Sequence, residues 1–167
     1  MACDIFVSYT RLKDFRGTVA DFVAHLQRET QKKTGRTTLS VFIDTKYIIP
    51  GAKWTESIDS ELADAHMLLI LLSPTWIRSE WSRKEFMAFV GHSSKQVRAR
   101  PIVPLIWDDV SQDDCETDEE RQILSSVLEY QAVPWGNLQY KTWESEQLRE
   151  AIGGLASRLK PYLKRQN

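Results

Sequence analysis

No apolar run in the 167-residue chain approaches the ~20 residues needed to cross a bilayer. The opening, MACDIFVSY, has no basic region followed by a hydrophobic one, so no secretory leader is expected. Cysteine is scarce. Cys3 and Cys115 are the only two and no CxxC occurs, which excludes a disulfide framework and points to a reducing, cytoplasmic setting. His25, His66 and His92 lack the i,i+4 or HExxH spacing of a metal site, so no metal is expected and packing or helix-end roles suffice for them. The 22 basic and 23 acidic side chains leave a net charge of -1. That balance speaks against a nucleic-acid footprint and against a polybasic membrane anchor. GxGxxG after the first strand, GxxxxGK[ST] and GxSxG are all missing, which removes a dinucleotide grip, a P-loop and a hydrolase elbow. A phosphoryl receiver needs acids after the first strand and an aspartate ending the third, where this chain has Ser8-Tyr9 and Ser73.

What is present is organised around His66 to Val90, HMLLILLSPTWIRSEWSRKEFMAFV. Met67 to Leu72 is apolar without alternation, the habit of a strand buried on both faces of a parallel sheet. Pro74 ends it, and Ser73 or Thr75 can cap a following helix. Along that helix Trp76, Ile77, Met87, Phe89 and Val90 supply packing, while Arg78, Arg83 and Lys84 read as solvated. Trp81 and Glu85 stand four apart and so lie one above the other on a helix face. A carboxylate beside an indole, just past the carboxyl end of a central strand, is where an α/β sheet keeps a ligand. Spacing alone does not decide the matter, because a helical glutamate is ordinarily solvated and a tryptophan ordinarily core.

The rest of the chain reads as alternating strands and helices. Cys3 to Ser8 is a first strand, followed by the turn Ser8-Tyr9-Thr10-Arg11. Val19, Phe22, Val23 and Leu26 form a helical stripe that Gly35 stops. Leu39 to Ile43 is a second strand, and Asp44 begins a loop through Pro50-Gly51 to Lys53. Trp54, Ile58 and Leu62 repeat every four residues, with Trp54 seating that helix. Ser93 to Arg100 is a polar, basic loop, and Pro101 to Trp107 a strand in which Pro104 conflicts with ladder pairing. The acids of Asp108 to Glu120 read as a solvated loop or helix start. Ile123, Leu124, Val127 and Leu128 mark a short helix, Ala132-Val133-Pro134 a last strand, and Leu148, Ile152, Leu155 and Leu159 a closing helix ended by Pro161. Such a sequence of elements predicts one parallel sheet with helices on both faces and a single domain over residues 1–167.

IFVSY, VFIDTKYIIPGAKWTESIDSEL, LLSPTWIRSEWSRKE and ARPIVPLI, in that order and spacing, resemble TIR (Toll/interleukin-1 receptor) domains over nearly the whole chain, more loosely after Asp108. The likeness is greater to bacterial, NAD-cleaving members and to the one driving axon degeneration than to animal receptors and adaptors. It implies a flavodoxin-like three-layer sandwich with a five-stranded parallel sheet. It also implies an NAD+ nucleosidase that frees nicotinamide and leaves ADP-ribose or a cyclised form, with NAD+ as substrate and no cofactor. Glu85 would be the catalytic carboxylate, an exposed cleft residue, and Trp81 a stacking wall of the pocket. Tyr9, Thr10 and Arg11 would line the nucleotide cleft, with Lys46 and Lys53 as further phosphate partners. Asp44 would join the substrate site or cap its loop through an Asx turn. Tyr47, Ile48, Ile49, Pro50 and Gly51, in the so-called BB loop, would meet other TIR domains during self-association, in a defence or cell-death pathway. The competing expectation, from another class, is a non-catalytic module that only assembles with TIR partners.

Overall fold

The computed structural model describes residues 3–10, 18–43, 56–95 and 100–163. Five strands, β1 (Ile5–Ser8), β2 (Val41–Ile43), β3 (Met67–Leu72), β4 (Ile102–Ile106) and β5 (Val133–Pro134), pair in parallel in the order β2-β1-β3-β4-β5. Helices α1 (Thr18–Thr34), α2 (Glu56–Asp64), α3 (Pro74–Arg78), α4 (Glu80–Ser93), α5 (Asp118–Val127) and α6 (Glu146–Leu163) cover them. All six residues of β3 are buried, as its unbroken apolar run predicts. Met67, Leu69 and Leu71 pack with α1 and α6, whereas Leu68, Ile70 and Leu72 pack with α2, α3, α4 and α5. The pleat thus divides one strand between two cores, giving the three-layer, flavodoxin-like sandwich.

Local chemistry sets the ends of these elements. Gly35 takes φ +72° and donates its N–H to Gln31 O at 2.9 Å, closing α1 where a side chain would be strained. Pro104 sits inside β4, yet no bond is lost. The Trp107 amide donates to Leu72 O, so by alternation residue 104 turns its nitrogen to the β5 side, where pairing begins only at Leu105 with Val133. Pro161 does not end the last helix, which runs on to Leu163. The helix expected after Ser73 is two helices. Ser73 caps α3, and Ser79 both ends α3 and caps α4 by accepting from the Ser82 N–H.

Arg83 and Arg100, both expected in solvent, are buried, as is Glu120, and one apolar residue expected inside is not. Arg83 donates from Nη1 to Ile77 O at 2.8 Å and lies 3.7 Å from Glu120 Oε1, joining α3, α4 and α5. Glu120 takes the helix-start alternative: it accepts from the Glu116 and Thr117 amides and completes a capping box with Thr117 at the start of α5. Arg100 is the furthest from expectation. Its Nη1 donates to Leu62 O, Ala63 O and Ala65 O, its Nη2 to Phe89 O and its Nε to Ser93 Oγ, while the guanidinium stacks 3.9 Å over the Phe89 ring. One cation thereby satisfies carbonyls at the carboxyl ends of both α2 and α4, where the helix dipoles favour positive charge. Met87, placed in the packing face by sequence, is 54% exposed because the break at Ser79 resets the phase of α4.

Two stability predictions follow from this packing. Arg100→Ala should lower unfolding stability by about 3 kcal/mol, since buried carbonyls lose charge-assisted partners, and Arg100→Lys should recover only a fraction in urea titration. Separately, burial, helped by Glu61 and Asp4, pushes the Cys3 thiol from an ordinary 9.0 up to about 12. The unfolded thiol ionises above its ordinary value and the folded one resists, so stability should fall as pH rises from about 9 toward 12. Cys3→Ala should flatten that alkaline decline relative to the parent protein, which melting curves across the range would reveal.

Candidate functional site

The strand order reverses between β1 and β3, so a crevice opens beyond their carboxyl ends, the usual ligand position of such sheets. Ser8 is the last residue of β1. By alternation it faces the same layer as Phe6, toward α3 and α4, while Val7 and Tyr9 face α1 and α6. The Ser8 hydroxyl lies 3.1 Å from Glu85 Oε1, and the Trp76 indole nitrogen lies 3.0 Å from Ser8 Oγ. Residues from β1, α3 and α4 therefore converge on one buried polar chain. A second chain runs beside it: Thr10 Oγ1 is 2.9 Å from Thr75 Oγ1, which is 3.0 Å from Ser73 Oγ, which accepts the Trp76 N–H at 3.1 Å. Those hydroxyls tie the end of β1 to the end of β3. Next to them Tyr9, Thr10, Val19, Leu71, Ser73 and Trp107 line a narrow indentation with no room for a water-sized molecule.

Glu85 does not stand in an exposed cleft: its accessible fraction is 0%. The reason is its helical phase. Ser82, Glu85, Phe86 and Phe89 are buried together at i, i+3, i+4 and i+7, so the carboxylate rides on the core-facing stripe of α4. Trp81, one turn earlier, is half-buried and packs at the edge of the same core. Tyr9 and Thr10 are buried at the crevice, close to where sequence placed them. Arg11, Asp44, Lys46, Tyr47, Ile48, Ile49, Pro50, Gly51, Lys53 and Trp54 lie outside the described residues. Sequence reasoning missed Ser8 and Thr75 as polar partners and read Trp76 as packing alone. A hydroxyl ending an apolar strand was the available signal for Ser8.

A separate cleft of about 160 Å³ opens on the α1 and α6 side, with Phe22, Trp107, Trp135 and Trp143 among its walls. Gln139 closes one end by donating to Trp107 O and Asp108 Oδ1 at 2.6 and 3.0 Å. Among the described residues no cluster of three or more His, Cys, Asp or Glu could hold a metal ion, and no helix is long and apolar enough to cross a membrane.

A doubly wound parallel sheet with a buried carboxylate beside its point of reversal defines a flavodoxin-like α/β domain with a polar crevice between β1 and β3. The chain belongs to the TIR domain family, whose model matches residues 5–152. It is 29% identical over 112 residues to the NAD(+) hydrolase TirS of Staphylococcus aureus (strain MSSA476), a match spanning 66% of this chain and 36% of TirS. It is also 29% identical over 150 residues to Protein toll of Drosophila melanogaster, spanning 89% of this chain and 12% of that protein. The chain thus corresponds to about a third or less of these relatives' length. In structure it is similar to the TIR domains of the activated Roq1 resistosome that recognises the effector XopQ, with a TM-score of 0.58, 14% identity and coverage of 95% of this chain and 99% of that one. The TIR domain of the Toll-related receptor TRR-2 from Hydra magnipapillata gives a TM-score of 0.53 at 13% identity, covering 96% and 99%.

The hydroxyl chain makes a specific stability prediction. Ser73→Ala removes both the α3 cap and the link to Thr75, and should cost about 1–2 kcal/mol. Thr75→Val, isosteric and sparing the cap, should cost less. Urea midpoints in the reverse order would show that the link from Thr10 to Thr75, and not the cap, holds the strand ends together.

Proposed function

We propose that this TIR domain cleaves the nicotinamide–ribose bond of NAD+, giving nicotinamide and ADP-ribose or a cyclised ADP-ribose. The observation that carries the reading is the placement of Glu85 at the β1/β3 crevice, hydrogen-bonded to Ser8, one helical turn beyond Trp81. Similarity to TirS supports it. NAD+ carries its nicotinamide as a pyridinium, so the leaving group departs neutral and needs no acid to protonate it. A conventional glycosidase needs two carboxyl groups; here one suffices. Glu85 would hold the ribose hydroxyls and stabilise the cationic ring as the bond breaks, inside a site of low dielectric where a fixed negative charge acts strongly. Trp81 would stack against a planar ring, Tyr9 and Thr10 would line the cleft, and Arg11, Lys46 and Asp44 would complete the nucleotide contacts.

Activity would depend on self-association through the loop carrying Tyr47, Ile48, Ile49, Pro50 and Gly51, in a cytoplasmic defence or cell-death role. The complete burial of Glu85 favours such control, because substrate cannot reach a carboxylate with no accessible surface without rearrangement. The second reading is a TIR–TIR interaction module without catalysis, favoured by the match to Toll over a longer stretch of this chain. Purified protein incubated with NAD+ separates the two by release of nicotinamide.

Glu85→Gln keeps shape and loses charge, so it should stay folded by circular dichroism while nicotinamide release falls by at least about two orders of magnitude. Near-parental turnover would remove Glu85 from the mechanism. Trp81→Ala should impair both KM and kcat more than Trp81→Phe, and global unfolding of the alanine variant would instead assign Trp81 to the core. Specific activity should rise with protein concentration or on tethering copies to beads. Ile48→Asp with Ile49→Asp should abolish that rise without unfolding the monomer, since charge opposes burial at a contact. Specific activity that stays constant over a hundredfold concentration range in both proteins would mark a self-sufficient monomer.

A further inference from the structure

We infer that Trp76 and Ser8 are positioning residues that fix the orientation of the Glu85 carboxylate, with Trp76 acting only through the Ser8 hydroxyl. An indole nitrogen can only donate, so in the 3.0 Å contact the Ser8 oxygen accepts. Ser8 has one hydroxyl proton, and the 3.1 Å contact to Glu85 Oε1 gives it an acceptor. The direction of both bonds is therefore fixed, from Trp76 to Ser8 to Glu85. The hydroxyl oxygen keeps a second lone pair, but an ionised carboxylate has no proton to give it, so Ser8 is the donor to Glu85. Each donor polarises the next, and burial strengthens both bonds because no water competes.

The three members are held by independent means. Ser8 is locked in the ladder opposite Ile70. Trp76 is fully buried in α3, and its own amide is held by the Ser73 cap. Glu85 lies on the buried stripe of α4. Packing alone would accept a phenyl ring at 76 and a methyl group at 8. The polar chain demands a nitrogen and an oxygen there, which makes it more than core filling. A carboxylate oxygen kept in one direction by such a chain is pre-organised for a developing positive charge. This kinetic consequence rests on the NAD+ cleavage reading. The relay itself does not.

The test compares the parent protein with Ser8→Ala, Trp76→Phe and the double variant. A protein carrying benzothienylalanine at 76, which keeps the bicyclic shape but has sulfur in place of N–H, serves if the phenylalanine variant fails to fold. The first readout needs no turnover: the Glu85 carboxyl carbon resonance at one neutral pH, together with the Trp76 indole N–H resonance. Removing the N–H should move the Glu85 signal while Ser8 is present and leave it unmoved in the Ser8→Ala background. Glu85→Gln should move the Trp76 indole signal, transmitted through the Ser8 hydroxyl. The second readout is kinetic. Ser8→Ala and Trp76→Phe should each lower kcat several-fold with KM little changed, the double variant should be no worse than Ser8→Ala, and Ser8→Thr should restore most of the loss. A Glu85 signal indifferent to the loss of the indole N–H, or equal effects of that loss with and without Ser8, would overturn the relay. If the parent releases no nicotinamide, the NAD+ reading fails and the resonances still decide the relay.

Discussion

Burial of β3 on both faces is the constraint from which the architecture follows. A strand that offers apolar side chains above and below must be covered twice, which demands helices in two layers. Right-handed crossovers then place α1, which follows β1, on one side and α3 and α4, which follow β3, on the other, so the connections leaving β1 and β3 diverge at the centre of the sheet. The crevice between those strand ends is a consequence of this divergence. Ser8, Ser73 and Thr75 reach each other's neighbourhood because the sheet puts β1 beside β3, although about 65 residues separate the two ends of the Thr10–Thr75 contact.

Polar groups within this frame serve two different purposes. At the amino-terminal end of the sheet Asp4 accepts from both Arg36 Nη atoms and from the Ser40 amide; burial alone would raise its pKa, but these bonds hold it below the ordinary value. Arg100 plays the equivalent part for the carboxyl ends of α2 and α4. Both are satisfied, inward-turned charges that fix chain geometry. The opposite end holds the carboxylate of Glu85 and a series of neutral hydroxyls. The bonds of Thr10 to Thr75 and of Thr75 to Ser73 can run in either direction, so that end retains a chemical flexibility the Asp4–Arg36 end lacks.

Features governed by periodicity were legible from the chain. The β3 run, the stripe of α1, the stop at Gly35 and the i,i+4 relation of Trp81 to Glu85 all emerge from spacing and a few terminators. Long-range polar pairing was not. Arg83 and Arg100 sit in sequence contexts indistinguishable from those of surface cations, and it is the approach of elements distant in sequence, Glu120 to Arg83 and the end of α2 to Arg100, that draws each into the core. Glu85 shows the same limit in a sharper form. Phe86 and Phe89 on its helix were visible, yet the phase of α4 depends on the restart at Ser79, and with it whether 85 or 87 faces inward. Pro104 illustrates the reverse case. The conflict with pairing was plain in sequence, and its resolution required knowing how short β5 is.

That shortness has a bearing on solubility. An edge strand presents open N–H and C=O groups to any other chain, and a long flat edge invites sheet extension and fibre growth. Here the β5 edge is two residues long and one of them is Pro134, while the strand behind it carries Pro104 with its nitrogen turned the same way. A newcomer finds almost no ladder to bind. Many copies of such a domain can be brought close together, as on a crowded scaffold, with this edge offering little template for aggregation.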